Sequence, residues 1–331
     1  MNTLRITKRV LLAAVVLLVF MFSLRTIAQE FRLSTNCLVS FATVESARRI
    51  LTNRDDFTSA QSAFDRSARM KTNRDVGEAG YLEFVGRSPQ PWSPEETNRL
   101  SAVLETLHKR IAPWNPPLPS TLTLIKTSGL EEGNASYTRQ NAIILSQREL
   151  LADTPALEDL VTHELFHVIS RHNPELRKRL YQILGFTRIN EIAYPEDLRA
   201  RRITNPDGVQ IGWAINITNR NQTLSAVPVL YSSAARYDLQ KGGEFFDYLV
   251  FKLLAVTNSP GGWQPIIADG KPYVLEPDEA DGFFDQIGKN TDYIIHPDEI
   301  LAVNFVNLVR GNTNLATPRI VSEMDRVFRQ R

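Results

Sequence analysis

The chain has 331 residues, of which 43% are hydrophobic and 23% are charged. This composition is typical of a globular protein with one large domain or two modest ones. The formal net charge is only +1, so a nucleic-acid partner, which usually requires a strong basic excess, is not expected. The single cysteine, Cys37, excludes an intrachain disulfide and a zinc site built from cysteines.

Residues 1–28 have the pattern of a secretory signal peptide. Arg5, Lys8 and Arg9 precede an unbroken apolar run at residues 10–22, and small residues follow at Thr26 and Ala28. The apolar run is shorter than the roughly 18 residues that a membrane span needs. We therefore expect a secreted or periplasmic protein without a stable membrane span. An uncleaved N-terminal membrane anchor is the alternative.

Residues 29–115 are predicted to form a mainly helical N-terminal region, with helix expected from Glu30 onward. Its clearest start signal is Ser93-Pro94-Glu95-Glu96, in which Ser93 can cap the helix and Glu96 can reach back to the cap amide. Apolar residues then recur at helical spacing up to Ile111. A cluster of prolines ends this helix and marks a boundary near residue 115: Pro113, Pro116, Pro117 and Pro119.

Residues 116–331 are predicted to form a second, α+β region. Strands are expected at residues 121–127 and 135–145, and a mostly buried helix is expected from Thr154, its cap, to His172. Alternating apolar residues predict a small inserted sheet at about residues 209–256. Helices are expected again at residues 277–287, 297–309 and 318–328. The second region therefore combines helices with a small mixed sheet.

The predicted helix at residues 154–172 carries His163-Glu164-Leu165-Phe166-His167. Four-residue spacing places both imidazoles on one helix face, one turn apart, where they can hold one tetrahedral Zn²⁺. Glu164 lies beside the first histidine, so its carboxylate can act on a metal-bound water as a general base. A catalytic zinc site needs a third protein ligand and leaves its fourth position to water. The pattern predicts a zinc site with hydrolytic chemistry.

A later segment, residues 296–305, contains Glu299, Ala302 and Phe305 at the spacing E-x-x-A-x-x-F. At this point the chain resembles the gluzincin metallopeptidases, whose third zinc ligand is a glutamate on a later helix. The resemblance implies a zincin-like catalytic domain with Glu299 as that ligand. Asp298 is its nearest competitor, and His172 is a weaker one because its spacing fits no known pattern.

Tyr293 lies six residues before Glu299. In anthrax-lethal-factor-type enzymes, which this segment resembles, a tyrosine at nearly this place stabilises the oxyanion, so the resemblance implies that role for Tyr293. Many gluzincins also have an acidic residue four positions after the third ligand, whereas this chain has Val303 there. We therefore expect either that the acceptor that orients a ligand histidine comes from elsewhere, such as Asn304 or Asp292, or that zinc is held less firmly.

Asn134-Ala135-Ser136-Tyr137 precedes an apolar strand and then the motif helix. This order resembles the edge strand of thermolysin-like enzymes, although the aromatic residue is displaced by one position. The resemblance implies that Asn134 and Ala135 bind the extended backbone of a substrate, as in β-strand addition.

These features together predict an exported zinc metallopeptidase that acts on a peptide or protein. Glu164 is expected to be the general base and Tyr293 the oxyanion donor, with zinc held by His163, His167 and Glu299. One alternative is a zinc-containing protein that binds peptides without cutting them. Another is a zinc hydrolase of a non-peptide amide, because the metal chemistry is shared.

Overall fold

The structure is a computed structural model that describes residues 30–330. The predicted signal segment, residues 1–28, lies outside the described residues. Within residues 30–330, no helix is both long and apolar enough to cross a membrane. Helices and strands both contribute substantially to this part of the chain, which confirms the prediction of a mixed α and β protein.

Eleven α-helices occur in the described part of the chain. They are α1 Val44–Leu51, α2 Asp56–Ala60, α3 Ala63–Arg69, α4 Glu78–Val85, α5 Pro94–Ile111, α6 Thr154–His172, α7 Pro174–Ile183, α8 Glu196–Arg199, α9 Phe283–Ile287, α10 Pro297–Arg310 and α11 Pro318–Arg329. The predicted capping box of α5 is present, with Ser93 and Glu96 bonded to each other's backbone amides. The predicted helix at residues 277–287 is instead the short 3₁₀ turn Pro277–Glu279 followed by α9.

The strands form two main sheets and one small hairpin. They are β1 Glu30–Ser34, β2 Cys37–Phe41, β3 Thr121–Thr127, β4 Tyr137–Arg139, β5 Ala142–Ser146, β6 Phe186–Arg188, β7 Trp213–Asn219, β8 Gln222–Ser232, β9 Leu249–Ser259, β10 Gly262–Pro265, β11 Ile267–Ala268, β12 Lys271–Pro272 and β13 Val274–Leu275. The first sheet has the order β1-β2-β3-β5-β4 and the second the order β10-β9-β8-β7-β6, with β13 also beside β9.

The N-terminal region contributes two strands to the first sheet, so the prediction of helix from Glu30 onward is wrong for residues 30–41. In β2, buried and half-buried residues alternate along Cys37–Phe41, which is the two-residue period of a strand. β2 pairs in parallel with β3, with Leu38 opposite Thr121. The first sheet therefore crosses the predicted boundary at residue 115.

The first sheet ends in a short antiparallel strand. β2, β3 and β5 run parallel, whereas β4 runs antiparallel to β5 and forms the edge. The single strand predicted at residues 135–145 is thus a hairpin of β4 and β5, with Gln140 at its turn in a left-handed conformation (φ 54°). Helix α6 packs against both of these strands.

The second sheet contains the strands expected at about residues 209–256, but it extends beyond those bounds through β6, β10 and β13. β7, β8 and β9 form its antiparallel centre, and the chain enters β9 through the 3₁₀ turn Phe245–Tyr248. Helix α6 packs against α5, α7 and α10 within the largest apolar core. The insertion therefore separates α6 and α10 along the chain, while the core brings the two helices into contact.

Candidate metal centre

Helix α6 is fixed at its start and buried along its length. Asp153 caps it by accepting a hydrogen bond from the amide of Ala156, so the prediction of Thr154 as the cap is wrong by one residue. A carboxylate also suits this position because it faces the positive end of the helix dipole. Apolar residues on several sides of the helix are buried, including Leu165 and Phe166. The motif is thus held on a rigid element inside the core.

The motif histidines of α6 face the first turn of α10. The rings of His163 and His167 lie 4.7 Å apart, centroid to centroid. His296 caps α10, its Nδ1 accepting a hydrogen bond from the amide of Asp298. Glu299 follows in the same turn and is 2% exposed. Packing of α6 on α10 therefore places a buried carboxylate opposite both imidazoles.

The spacing of these three side chains fits a tetrahedral metal ion. Glu299 Oε2 lies 3.1 Å from His163 Nε2 and 3.3 Å from His167 Nε2. Two ligand atoms on one zinc ion, each about 2.0–2.1 Å from it, stand about 3.3 Å apart in a tetrahedron. One ligand atom from each of the three residues lies within 4.8 Å of the others. Two imidazole nitrogens and a carboxylate oxygen form a donor set that zinc prefers.

Asp298 does not face the three candidate ligand atoms. Its Oδ2 lies 2.8 Å from Nδ1 of His167, while Oδ1 accepts hydrogen bonds from Tyr181 and Ser170. An acceptor on Nδ1 fixes the ring and leaves Nε2 available for a metal. Asp298 therefore orients His167, and its competition with Glu299 as a ligand is not supported by this arrangement.

The expected acceptors Asn304 and Asp292 do not orient the motif histidines. Asn304 accepts from Asn290 and donates to the carbonyl of Ile300, on its own helix. Asp292 accepts a backbone hydrogen bond from Ile294 through its carbonyl oxygen. His172, the other weak ligand candidate, is exposed at the end of α6. For His167 the acceptor is Asp298 rather than Asn304 or Asp292, because Asp298 lies against the nitrogen of His167 that points away from Glu299.

Two polar residues of the site come from a turn that sequence reasoning did not single out. Asn205 donates to Oε1 of Glu299 at 2.7 Å, and its own Oδ1 accepts from the amide of Asp207. Asp207 in turn accepts from the amide of Thr138 on β4 at 3.0 Å. The sequence Asn205-Pro206-Asp207-Gly208 signals a turn, but no local pattern indicates that this turn reaches the zinc motif.

A buried ion cluster anchors this turn to the N-terminal region. Arg69 on α3 donates to both carboxylate oxygens of Glu132, at 2.6 and 2.9 Å, and to the carbonyl of Thr204. Asp65 accepts from Arg69 and also from the amide of Thr204, at 2.9 Å. We refer to Asp65, Arg69 and Glu132 as the arginine cluster. The N-terminal region thereby fixes the residue directly before Asn205.

Glu164 is buried beside the candidate ligands and is 3% exposed. Its Oε2 has no hydrogen-bond partner among the residues that the structure describes. Burial raises the pKa of Glu164 well above its usual range, and the nearby Asp207 raises it further. A ligand atom of Glu164 and one of Asp207 both lie within 4.8 Å of one on His167. A carboxylate placed in this way can accept a proton from a small molecule bound next to it.

The electrostatics around His167 favour a positive charge. Burial alone lowers the pKa of His167, but the carboxylates of Glu299, Asp207 and Asp298 outweigh burial and raise it well above its usual range. The pKa of Glu299 shifts the opposite way. Burial raises it, but His167 and His163 lower it to well below its usual range. The cluster thus attracts a cation, either a proton on His167 or a metal ion.

A cleft of about 550 Å³ opens onto these residues. Tyr293 lines it with its ring 6.4 Å from that of His163, and the residue is 42% exposed. Ala135 also lines the cleft, next to the edge strand β4. Asn134 is not among the lining residues: it has a left-handed backbone (φ 69°), and its carbonyl accepts from Ser146. The fold therefore brings Tyr293 and Ala135, but not Asn134, to the same cavity as the zinc motif.

No protein-family model matches this chain, and no match to it was found among curated proteins or solved structures.

Proposed function

We propose that this protein is an exported zinc metallopeptidase with a zincin-like catalytic domain. The observation that carries the proposal is the spacing of Glu299 Oε2 from His163 Nε2 and His167 Nε2, at 3.1 and 3.3 Å. This spacing occurs beside the buried carboxylate of Glu164, whose Oε2 has no hydrogen-bond partner among the described residues. The order of edge strand, zinc helix and later glutamate helix supports the resemblance to gluzincins. Export rests on the signal pattern of residues 1–28.

His163, His167 and Glu299 would hold the zinc ion, with Asp298 and Asn205 holding two of these ligands in place. A zinc ion bound there would supply a water of lowered pKa and would polarise the bond to be cut. Glu164 takes a proton from the attacking water and delivers it to the leaving amine. Its buried position suits this exchange, because burial reduces the cost of carrying the proton.

Tyr293 lines the cleft, with its ring 6.4 Å from that of His163 on α6. Its hydroxyl can donate a hydrogen bond to the oxygen that becomes negative as the peptide carbonyl is attacked. Such a donor stabilises the transition state more than the ground state. Its exposure allows the ring to adjust to a bound substrate without disturbing the core.

The edge of β4 offers a place for an extended substrate. A sheet edge can pair with peptide backbone through main-chain hydrogen bonds. At Thr138, however, the outward amide already donates to Asp207. The segment just before β4 also lines the cleft, through Ala135 and Ser136. The amide of Ala135 donates to the carbonyl of Glu132, so any backbone pairing with a substrate would use the other main-chain groups of this segment.

A peptide-binding protein without catalysis is less consistent with Glu164. A buried carboxylate oxygen without a hydrogen-bond partner costs stability. Peptide binding alone does not explain why Glu164 carries this cost, whereas a role in proton transfer does. Zinc hydrolysis of a non-peptide amide uses the same residues, so a substrate panel is needed to separate it from peptide hydrolysis.

The zinc content of the purified protein and of its Glu299→Ala and Glu164→Gln variants tests the proposal. We expect about one zinc per chain in the parent and in Glu164→Gln, but strongly reduced zinc in Glu299→Ala. Peptide hydrolysis should fall by about 10²–10⁴-fold in Glu164→Gln, the usual contribution of general base catalysis. Elemental mass spectrometry and a quenched-fluorescence peptide assay provide the two readouts.

Full zinc retention in Glu299→Ala would remove Glu299 from the ligand set, and an active Glu164→Gln enzyme would remove the general base. A zinc-loaded parent that cuts non-peptide amides but no peptide would change the substrate class and keep the chemistry. A parent that binds no zinc after reconstitution contradicts the whole proposal.

A further inference from the structure

The cleft beside the zinc motif is lined by acidic side chains and by no lysine or arginine of the described chain. Its carboxylates are those of Glu149, Asp159, Glu164, Asp207 and Glu299. The question is which of these charges has a partner within the protein, because an unneutralised charge on a cleft wall selects the charge of what binds there.

Four of these carboxylates have assigned partners or roles. Glu299 faces the motif histidines, and Glu164 is the proposed general base. Oδ1 of Asp207 lies 3.4 Å from Nη2 of Arg171 and accepts a hydrogen bond from the amide of Thr138. Asp159 is paired with Arg310, whose guanidinium also donates to the carbonyl of Pro155.

Glu149 differs from these four residues because it has neither an ion pair nor an assigned role. It begins the 3₁₀ turn Glu149–Leu151, where its amide donates to Oγ of Ser146. Its carboxylate accepts a hydrogen bond from the hydroxyl of Ser136. No arginine, lysine or histidine within residues 30–330 forms an ion pair with it. The Ser136 contact holds the carboxylate in place but does not neutralise it.

The position of Ser136 links this charge to the substrate path. Ser136 follows Ala135 and precedes β4, in the segment proposed to pair with substrate backbone. The rest of the cleft is largely aliphatic, lined by Ala152, Ala156, Leu160, Val303 and Val306. Lysine and arginine side chains combine an aliphatic stem with a charged head. They therefore match a cleft that has apolar walls and, in Glu149, a carboxylate without a cationic partner.

We propose that Glu149 is a substrate-recognition residue that binds a positively charged nitrogen of the substrate next to the bond that is cut. This inference rests on the proposed function and specifies its substrate class as peptides with a basic group. The positive group is either a lysine or arginine side chain or the free α-amine of a substrate N-terminus. Both are donors that form charge-assisted hydrogen bonds with a carboxylate.

The first test uses zinc-binding peptide hydroxamates on the zinc-loaded, full-length protein. Matched compounds carry a lysine or a norleucine side chain, each with a free or an acetylated N-terminus. We expect the compound with the preferred positive group to bind about tenfold or more tightly than its neutral match, as hydrogen bonds to charged groups allow. The acetylated pair reports the side chain, and the free-amine pair reports the terminus.

The second test compares Glu149→Gln with Asp159→Asn. Glutamine retains the size of Glu149 and can still accept from Ser136, so only the charge is lost. We expect Glu149→Gln to abolish the preference for the positive compound, and Glu149→Lys to reverse it towards a glutamate compound. Asp159→Asn should retain the preference, because the charge of Asp159 is already neutralised by Arg310. The zinc content of each variant shows whether its site has folded.

Ratios of kcat/KM for matched basic and neutral peptides then separate the two proposals. Peptide hydrolysis without a basic preference, in the parent as in Glu149→Gln, overturns the role of Glu149 and leaves the peptidase intact. A basic preference in hydroxamate binding without any peptide hydrolysis supports the subsite and overturns the peptidase. Binding of no hydroxamate by the zinc-loaded protein overturns the subsite.

Discussion

Two buried charged clusters contact adjacent residues of the chain, the arginine cluster at Thr204 and Glu299 of the motif site at Asn205. In the arginine cluster, Arg69 supplies a cation that Asp65 and Glu132 surround, and its guanidinium also lies 4.0 Å from the ring centre of Phe245. In the zinc motif, the buried carboxylates of Glu164, Asp298 and Glu299 face histidines in place of any permanent cation.

We propose that this difference separates a structural cluster from a cation-binding cluster. Buried carboxylates are costly unless a positive charge accompanies them. The arginine cluster contains its cation in the sequence, so it is complete when the chain folds. The zinc motif has titratable histidines in that place, and it becomes electrostatically complete only with a proton or a metal ion. Buried carboxylates that have no permanently charged cation beside them therefore indicate a candidate cation site.

The largest effect that distinguishes the clusters is expected from Arg69→Met. This variant leaves the carboxylates of Asp65 and Glu132 buried without their cation. Breaking a buried pair in this way costs about 3–5 kcal/mol of the free energy of unfolding, which denaturant titration measures. The zinc content of the folded fraction should remain near that of the parent, because the ligands lie on α6 and α10.

The same exchange at an exposed ion pair is the control. Arg87→Met breaks the pair with Glu83, in which both side chains are more than half exposed, and it should have little effect on unfolding. If Arg69→Met removed zinc without changing the free energy of unfolding, the assignment of the arginine cluster as structural would be wrong.

An intermediate effect is expected from Asp298→Asn in the zinc motif. Asp298 orients His167 through Nδ1, and losing the charge of such an outer partner typically lowers metal affinity by about 10–100-fold. Competition with a chelator of known affinity measures the change. Asp285→Asn, on an exposed residue of α9, is the matched control. Unchanged zinc affinity in Asp298→Asn would mean that Asp298 does not support the site.

The smallest effect is expected from Glu131→Gln, beside the arginine cluster. Glu131 is fully buried, and burial raises its pKa above the usual 4.5. A carboxyl group whose pKa is raised in the folded state binds its proton more tightly in the folded protein than in the unfolded chain. The protein therefore loses stability as the pH rises from the unfolded-state pKa through the folded-state pKa. A glutamine at this position does not titrate, so the variant does not lose this stability. We expect Glu131→Gln to increase the free energy of unfolding at neutral pH.

The pH dependence of unfolding tests whether this increase in stability comes from the buried carboxyl group. The gain of Glu131→Gln over the parent should shrink as the pH falls below 4.5, where the carboxyl group is protonated in both the folded and unfolded states. Denaturant titrations between pH 4 and pH 8 measure the difference. A gain that is the same at every pH would contradict a buried carboxyl group as its cause.

Much of the local structure was predictable from sequence. The predicted helices at residues 297–309 and 318–328 match α10 and α11 to within a residue or two. Capping residues and apolar spacing specify such helices because both act within a few residues of chain. Strands β1 and β2 were not predicted, since short strands give a weak periodic signal and β3, the strand that joins β2 to the rest of the sheet, lies about 80 residues further along the chain.

In the candidate site, too, some features were predictable from local sequence and others were not. Four-residue spacing on a helix placed His163 and His167 together, and Glu164 lies beside them because it directly follows His163 in the sequence. Resemblance alone selected Glu299 over Asp298. Adjacent helical residues point about 100° apart, so only one of the two could face Nε2 of the histidines, and no local pattern indicates which.

The sequence by itself predicted the helix that carries His163, Glu164 and His167, the residue types of the proposed donor set and a signal-like pattern at residues 1–28. Only the tertiary structure decided that Glu299 faces the histidines, that Asp298 orients His167 and that Asn205 and Asp207 reach the site. His163 and Glu299 are 136 residues apart. Contacts over such a separation are set by how α6 and α10 pack in a shared core, and packing depends on all the elements at once.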